Sequence, residues 1–185
     1  MGAHFAGRIS AKQFRIVSIA AVILACAAYT AAQPCTRHEE PDGGFSICIP
    51  EGWTVRETPT SKFKSLFAPK LDGFSPNINF RQELTSKTLT DYVSAGVALV
   101  MATKEKIGLT SIEPLGQSDF KTDSGLKGIR VIFKSDYKGI MVRTTQYYFD
   151  AGNDRKLVIT ATALDQHKAV FDVVFERAAK SFQLQ

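Results

Sequence analysis

The spacing of apolar and polar residues changes period several times along the chain. From Phe45 to Ile49 it is strictly two: Phe45, Ile47 and Ile49 point one way, Ser46 and Cys48 the other. That alternation predicts a strand with one buried face. Pro50 cannot donate to a ladder and Gly52 permits a tight turn, so the strand should end there. The alternation resumes over Trp53 to Glu57, and "PEGW" reads as a hairpin-like corner pinned to the core by the chain's single Trp. Ser65 to Ala68 and Asn77 to Arg81 read as further short strands, with a loop from Lys70 to Pro76 between them. The period then becomes helical. Leu89, Val93, Gly96, Val97 and Val100 form an apolar stripe, Thr88 and Asp91 resemble a capping box, and Gly108 is a natural stop. This helix should pack its stripe on a sheet.

The second half returns to period two. Leu115 to Lys121, Ile129 to Phe133, Ile140 to Phe149 and Leu157 to Thr162 predict four strands. They are separated by turn formers at 122–125, 135–139 and 150–154, which favours antiparallel hairpins. A last helix is expected from a cap at Asp165 through Val170, Phe171, Val174, Ala178 and Phe182, apolar over a wide arc and so well buried. Strands, helix, strands, helix is an α+β order, and turn-length connections exclude a parallel βαβ sheet.

Composition changes this picture at the front of the chain. Arg8, Lys12 and Arg15 precede an apolar run, Ile16 to Ala25, and a small-residue stretch ending Thr30-Ala31-Ala32. That is the pattern of a secretory leader. The alternative is an anchor that stays in place, for which the run is short of the roughly 20 residues of a span. Cleavage before Gln33 suits an ordinary signal peptidase. Ile23-Leu24-Ala25-Cys26 resembles a lipobox, making Cys26 a candidate for lipidation, although Leu24 is larger than that box usually carries. The organisation expected is therefore a leader at 1–32, a polar surface arm at 33–44 and a single domain at 45–185. Losing the leader takes 23 basic against 18 acidic residues to 20 against 18. Near-neutrality leaves no electrostatic case for nucleic-acid binding.

Cleavage also leaves two cysteines, Cys35 and Cys48. An even pair in an exported chain reads as a disulfide joining the arm to the first strand; the alternative is a small buried Cys48 with a free thiol.

Candidate chemistry is sparse. There is no nucleophile elbow, P-loop or dinucleotide fingerprint, so no catalytic residue and no cofactor is expected. His38, Glu39, Glu40 and Asp42 are the densest group of potential metal ligands, but they lie in the arm and in no recognised ligand order, so no metal is expected either. His167 should be a helix-start residue without an acid–base partner at helical spacing, and Asp165 a cap. Tyr147, Tyr148, Phe149 and Phe133 with Arg130 and Arg143 could suggest a nucleic-acid platform. Alternation instead puts Tyr147 and Phe149 in the core and Tyr148 on an exposed polar face.

Taken in order, "GFSICIPEGWTV" (44–55), "PNINF" (76–80), the capped helix "TLTDYVSAGVALV" (88–100), the hairpin series and the closing "AVFDVVFERAAKSFQL" (169–184) resemble the PsbP-like family. The resemblance covers residues 45 to 184. It implies an α/β/α sandwich, a central, mainly antiparallel sheet flanked by helices, shared with DcrB-like envelope proteins and a Ran-binding import factor. It implies an architectural role for the "IPEGW" corner and no active site, since members are mostly extrinsic photosystem subunits or binding and accessory proteins. The expected function is thus a periplasmic or secreted, non-catalytic accessory protein that binds another envelope protein, touching the membrane only through a leader or lipid anchor. The alternative is a small-molecule or metal-ion binding envelope lipoprotein anchored through Cys26. A hydrolase with an unrecognised site is a third reading, requiring a perturbed acid–base pair in a cleft.

Overall fold

The computed structural model describes residues 35–59 and 61–185. The leader, both candidate cleavage sites and Cys26 lie outside them. The elements run β1 (Arg37–Glu40), β2 (Phe45–Cys48), β3 (Thr54–Arg56), β4 (Ser65–Phe67), β5 (Asn77–Leu84), α1 (Leu89–Thr103), β6 (Ser111–Lys121), β7 (Lys127–Tyr137), β8 (Ile140–Asp150), β9 (Arg155–Leu164), α2 (Lys168–Lys180) and β10 (Gln183–Leu184). Seven strands make one antiparallel sheet in the order β3-β4-β5-β9-β8-β7-β6, and β1, β2 and β10 make a small second sheet. The fold is α+β, built on a large antiparallel sheet with two helices.

The alternation of each strand decides which helix it meets. Tyr147, Phe149, Leu157, Ile159 and Ala161 line one face and close on Phe171, Phe175, Ala178 and Ala179 of α2, together with Phe45 and Ile47 of β2. Val131, Phe133, Tyr148 and Val158 line the other face and close on Tyr92 and Val93 of α1. Thr88 begins α1 as expected, accepting the Asp91 N–H at 3.1 Å. The Asp91 carboxylate takes the Thr88 hydroxyl at 2.8 Å, where a longer Glu would reach back to the backbone.

The corner at Pro50-Glu51-Gly52-Trp53 is a tight turn. The Trp53 N–H donates to Pro50 O at 3.1 Å and Gly52 takes φ +76°, a conformation that glycine adopts without strain. Trp53 packs edge-on to Phe171 and Phe175, 6.4 and 6.1 Å between centroids. The corner is not a hairpin, however. β2 belongs to the small sheet and β3 to the large one, so this turn carries the chain between sheets.

Three further expectations are corrected. The arm is partly a strand: Arg37 to Glu40 pair with Cys48 to Phe45. Cys48 lies opposite Arg37, next to the bonded Cys35, and the polar strand adds its ladder hydrogen bonds to an otherwise open edge of β2. Asp165 caps nothing. It starts a single 3-10 turn with no side-chain cap bond, and its carboxylate pairs with Lys134 at 3.5 Å. Val170 is 61% exposed, because α2 is set down on Phe171 and Phe175 and the next residue round falls off that stripe.

Candidate binding surface

The chemistry-bearing residues singled out in the sequence are scattered. His38 and Glu40 share a face of β1, 3.5 Å apart, and the Lys64 N–H donates to Glu40 Oε2. Glu39 points the other way and Asp42 is exposed. Cys35 and Cys48 form the expected disulfide, Cα atoms 5.5 Å apart. His167 has a partner far away in sequence: its Nε2 lies 2.7 Å from Asp72, and Gln166 donates to the same carboxylate. Arg130 and Arg143 are turned to α2, on Glu176 and Asp172 at 3.4 and 2.9 Å. Tyr148 does lie opposite Tyr147 and Phe149, but it is buried under α1 rather than exposed, since Tyr92 packs on its ring at 6.0 Å. Burial pushes the Tyr148 phenol up to about 12 and raises Tyr92 in the same direction.

What the sequence reading missed is the rest of that sheet face. α1 packs mainly on β7 and β8 and reaches Arg81 of β5 through Tyr92, and among the described residues the strand positions beyond it on this side stay partly exposed. Register then aligns polar side chains across three strands. Asn77 lies opposite Thr162, and Thr162 opposite Thr144; one row along, Asn79 lies opposite Thr160, and Thr160 opposite Gln146. All six are half-buried. Asn79 donates its amide to Asn77 Oδ1 at 2.7 Å, the Gln146 amide donates to Thr160 Oγ1 at 3.4 Å, and the Thr144 and Thr162 hydroxyls lie 3.3 Å apart. The Tyr148 hydroxyl donates to Gln146 Oε1.

Arg81 closes one end of this platform, donating to the Tyr92 hydroxyl at 3.3 Å and pairing with Glu83 at 3.2 Å. Phe67, with the Arg56 guanidinium 5.4 Å over its ring, closes the side next to Asn77. The platform is a flat, neutral array of amides and hydroxyls with an arginine at two of its borders. Among the described residues the two histidines, His38 and His167, lie elsewhere, and no hydroxyl on this face meets an imidazole. The signal was present as alternate polar residues in "NINFR", "TTQY" and "TAT", but each strand alone reads only as having a solvent side.

Two open clefts lie elsewhere. One of about 350 Å³ runs along α2 between Asp123, Val173, Glu176, Arg177 and Lys180. The other, about 470 Å³, lies between Asp72, the Gly139-Ile140-Met141 tip of the β7–β8 hairpin and the Leu164-Asp165-Gln166 floor. Among the described residues, no helix is long and apolar enough to cross a membrane.

Neither a protein-family model nor a curated protein matches the chain by sequence. Solved structures do match. The cyanobacterial PsbP of Synechocystis superposes with a TM-score of 0.63 at 12% identity, over 88% of this chain and 99% of that one. The chain has a PsbP-like fold. LpqN of Mycobacterium tuberculosis, described as involved in cell envelope biogenesis, matches at 0.56 and 13% identity, over 84% of this chain and 87% of its own. The Ran-binding protein Mog1p of Saccharomyces cerevisiae matches at 0.54 and 14% identity, over 82% and 95%. These likenesses concern the fold. Within the PsbP-like architecture described here, the "IPEGW" corner is the turn that joins the two sheets, and the polar platform is the part of the large sheet that α1 leaves open.

Proposed function

We propose that this PsbP-like protein is an exported, non-catalytic accessory protein that binds another protein of the cell envelope. The observation that carries the reading is the open platform of six half-buried polar side chains between α1 and Phe67. A flat face of amides and hydroxyls, already organised by mutual hydrogen bonds, presents donors and acceptors to a partner at little ordering cost. It lacks the enclosure expected of a small-molecule pocket. We read the two helices on opposite faces of the sheet as a lean version of the PsbP-like α/β/α sandwich, with α1 covering only part of its side. The leader pattern and the Cys35–Cys48 pairing support export to an oxidising compartment, and the likeness to an envelope-biogenesis protein is in keeping with that destination.

Crosslinking in intact cells, with purification of the tagged protein and identification of what accompanies it, tests this. The expected result is one reproducible envelope protein, lost when Asn79→Arg and Thr160→Arg are introduced together into the platform. Capture of the same protein by that variant would remove the platform from the reading. A protein that is monomeric by native mass and carries no partner would overturn it in favour of a small-molecule or metal-binding lipoprotein anchored at Cys26.

A further inference from the structure

The small sheet contains a strand whose own residues do little to hold it. Arg37-His38-Glu39-Glu40 of β1 bring no apolar side chain to the core. The His38 and Glu40 side chains are nonetheless only 10% and 12% exposed. Among the described residues His38 Nε2 has no hydrogen-bond partner, Glu40 Oε2 standing 3.5 Å away. A buried polar atom left in that state costs stability. On the other side of the balance are the β2 ladder, two hydrogen bonds from Arg37 and the Lys64 N–H on Glu40. A polar tetrapeptide gains little from burial to offset its own ordering, so the Cys35–Cys48 bond at its start is what keeps β1 docked. β2 needs no such help. Its Phe45 and Ile47 are fully buried in the core, and β10 pairs with its far edge. Two neighbouring strands thus differ in stability, and β1 is free to leave while β2 stays.

The bond is also placed to be opened from one side. Cys35 is exposed and Cys48 half-buried. An attacking thiolate therefore approaches Cys35, and Cys48 becomes the leaving group. Arg37 Nη2 lies 3.9 Å from Cys48 Sγ. Among the described residues Arg37 pairs with no carboxylate, so its charge is not neutralised there. A guanidinium beside the sulfur favours the thiolate form of Cys48, and a thiol that ionises readily leaves faster. Arg37 is a positioning residue in this scheme, fixed on the Ser46 hydroxyl at 3.0 Å and on Ser181 O at 3.1 Å.

From this we propose that Cys35–Cys48 is a redox latch: a dithiol oxidoreductase opens it, and β1 lifts off β2 while the rest of the domain stays folded. A thiolate of the dithiol attacks the Cys35 sulfur. The S–S bond breaks, and its electron pair leaves on Cys48 beside Arg37. The second thiol of the dithiol then attacks the mixed disulfide, Cys35 departs, and the dithiol closes into a disulfide of its own. Two electrons and two protons pass from the dithiol to the cysteine pair. Opening returns His38 and Glu40 to water and bares one backbone edge of β2. The latch belongs to the small sheet and leaves the polar platform of the large sheet as it is.

Amide hydrogen exchange of the protein isolated from cells, before and after treatment with dithiothreitol under native conditions, tests the proposal. Reduction should speed exchange of the β1 amides, and of the Ile49 N–H that donates to Thr36 O, at least about a hundredfold. Exchange across β5, β9 and β8 should be unchanged. The rate at which dithiothreitol opens the bond gives a second reading. Arg37→Gln should slow it at least about threefold, as a leaving thiol with a higher pKa does, and Arg37→Lys should restore most of the loss. Loosening of β1 by the glutamine acts in the opposite direction, so slowing reports the charge. A bond that resists dithiothreitol in the folded protein would overturn the proposal. So would β1 amides that stay protected after reduction, loss of protection throughout the large sheet, or opening as fast in Arg37→Gln as in the wild type.

Discussion

Gly128 sits where the β7–β8 ladder leaves no room for a side chain. A Cβ there would come within 2.5 Å of the Tyr148 carbonyl oxygen and 2.7 Å of the Phe149 ring. Backbone cannot swing away as a flexible side chain can, so Gly128→Ala should destabilise the protein by about 1–3 kcal/mol, as overpacking does. A urea midpoint unchanged from wild type would show that the strands part more easily than this geometry implies. The two tyrosines that follow give a pH signature. Burial raises the Tyr148 phenol to about 12, while an unfolded tyrosine ionises near 10. The folded state holds its proton longer, so this contribution is complete below pH ~10 and is lost as pH rises through about 12. Two pKa units correspond to roughly 2–3 kcal/mol. Tyr147, raised further by the same burial, steepens the fall. Urea midpoints between pH 9 and 11 should drop sharply for the wild type and less for Tyr148→Phe; parallel curves would place the alkaline loss elsewhere.

At the scale of elements, β1 is tied down at its start. Cys35 is bonded to Cys48, and Arg37 donates to the Ser46 hydroxyl and to Ser181 O just beyond α2. With the cysteines 13 positions apart, the chain-entropy model assigns this closure about 3 kcal/mol. Reduction should lower the melting temperature on the order of 10 °C in a domain of this size, and alkylation before reduction should label neither thiol. Labelling of both, or an unchanged melting curve, would contradict the role given to this bond. The strand itself was not legible in "RHEE", because a polar tetrapeptide carries no alternation. It is a strand because β2 offers an edge and the disulfide brings it there. The helix α1 was legible, since Thr88 and the stripe through Val93 and Val97 are local signals. Tyr92, its largest buried side chain, lies just off that stripe and was set by its partner Tyr148. The end of α2 was misjudged for a similar reason: Phe182 is buried beyond the helix, where β10 joins β2.

For the molecule as a whole, the α+β order, the antiparallel meander and the likeness to PsbP-like proteins were all readable from the residues, because periodicity and turn formers act over short distances. Which helix lies on which face followed from alternation once the sheet order was known. The platform was not readable. Asn77, Thr162 and Thr144 are separated by up to 85 positions in sequence and become a row only through the β5–β9–β8 register. The sequence by itself therefore determined most of the elements, the paired cysteines and the fold class, each a matter of local spacing or residue type. Only the tertiary structure decided what the protein presents to a partner, because a surface is assembled from strands whose pairing is non-local and from a helix whose placement over β7 and β8 determines how much of the sheet it covers.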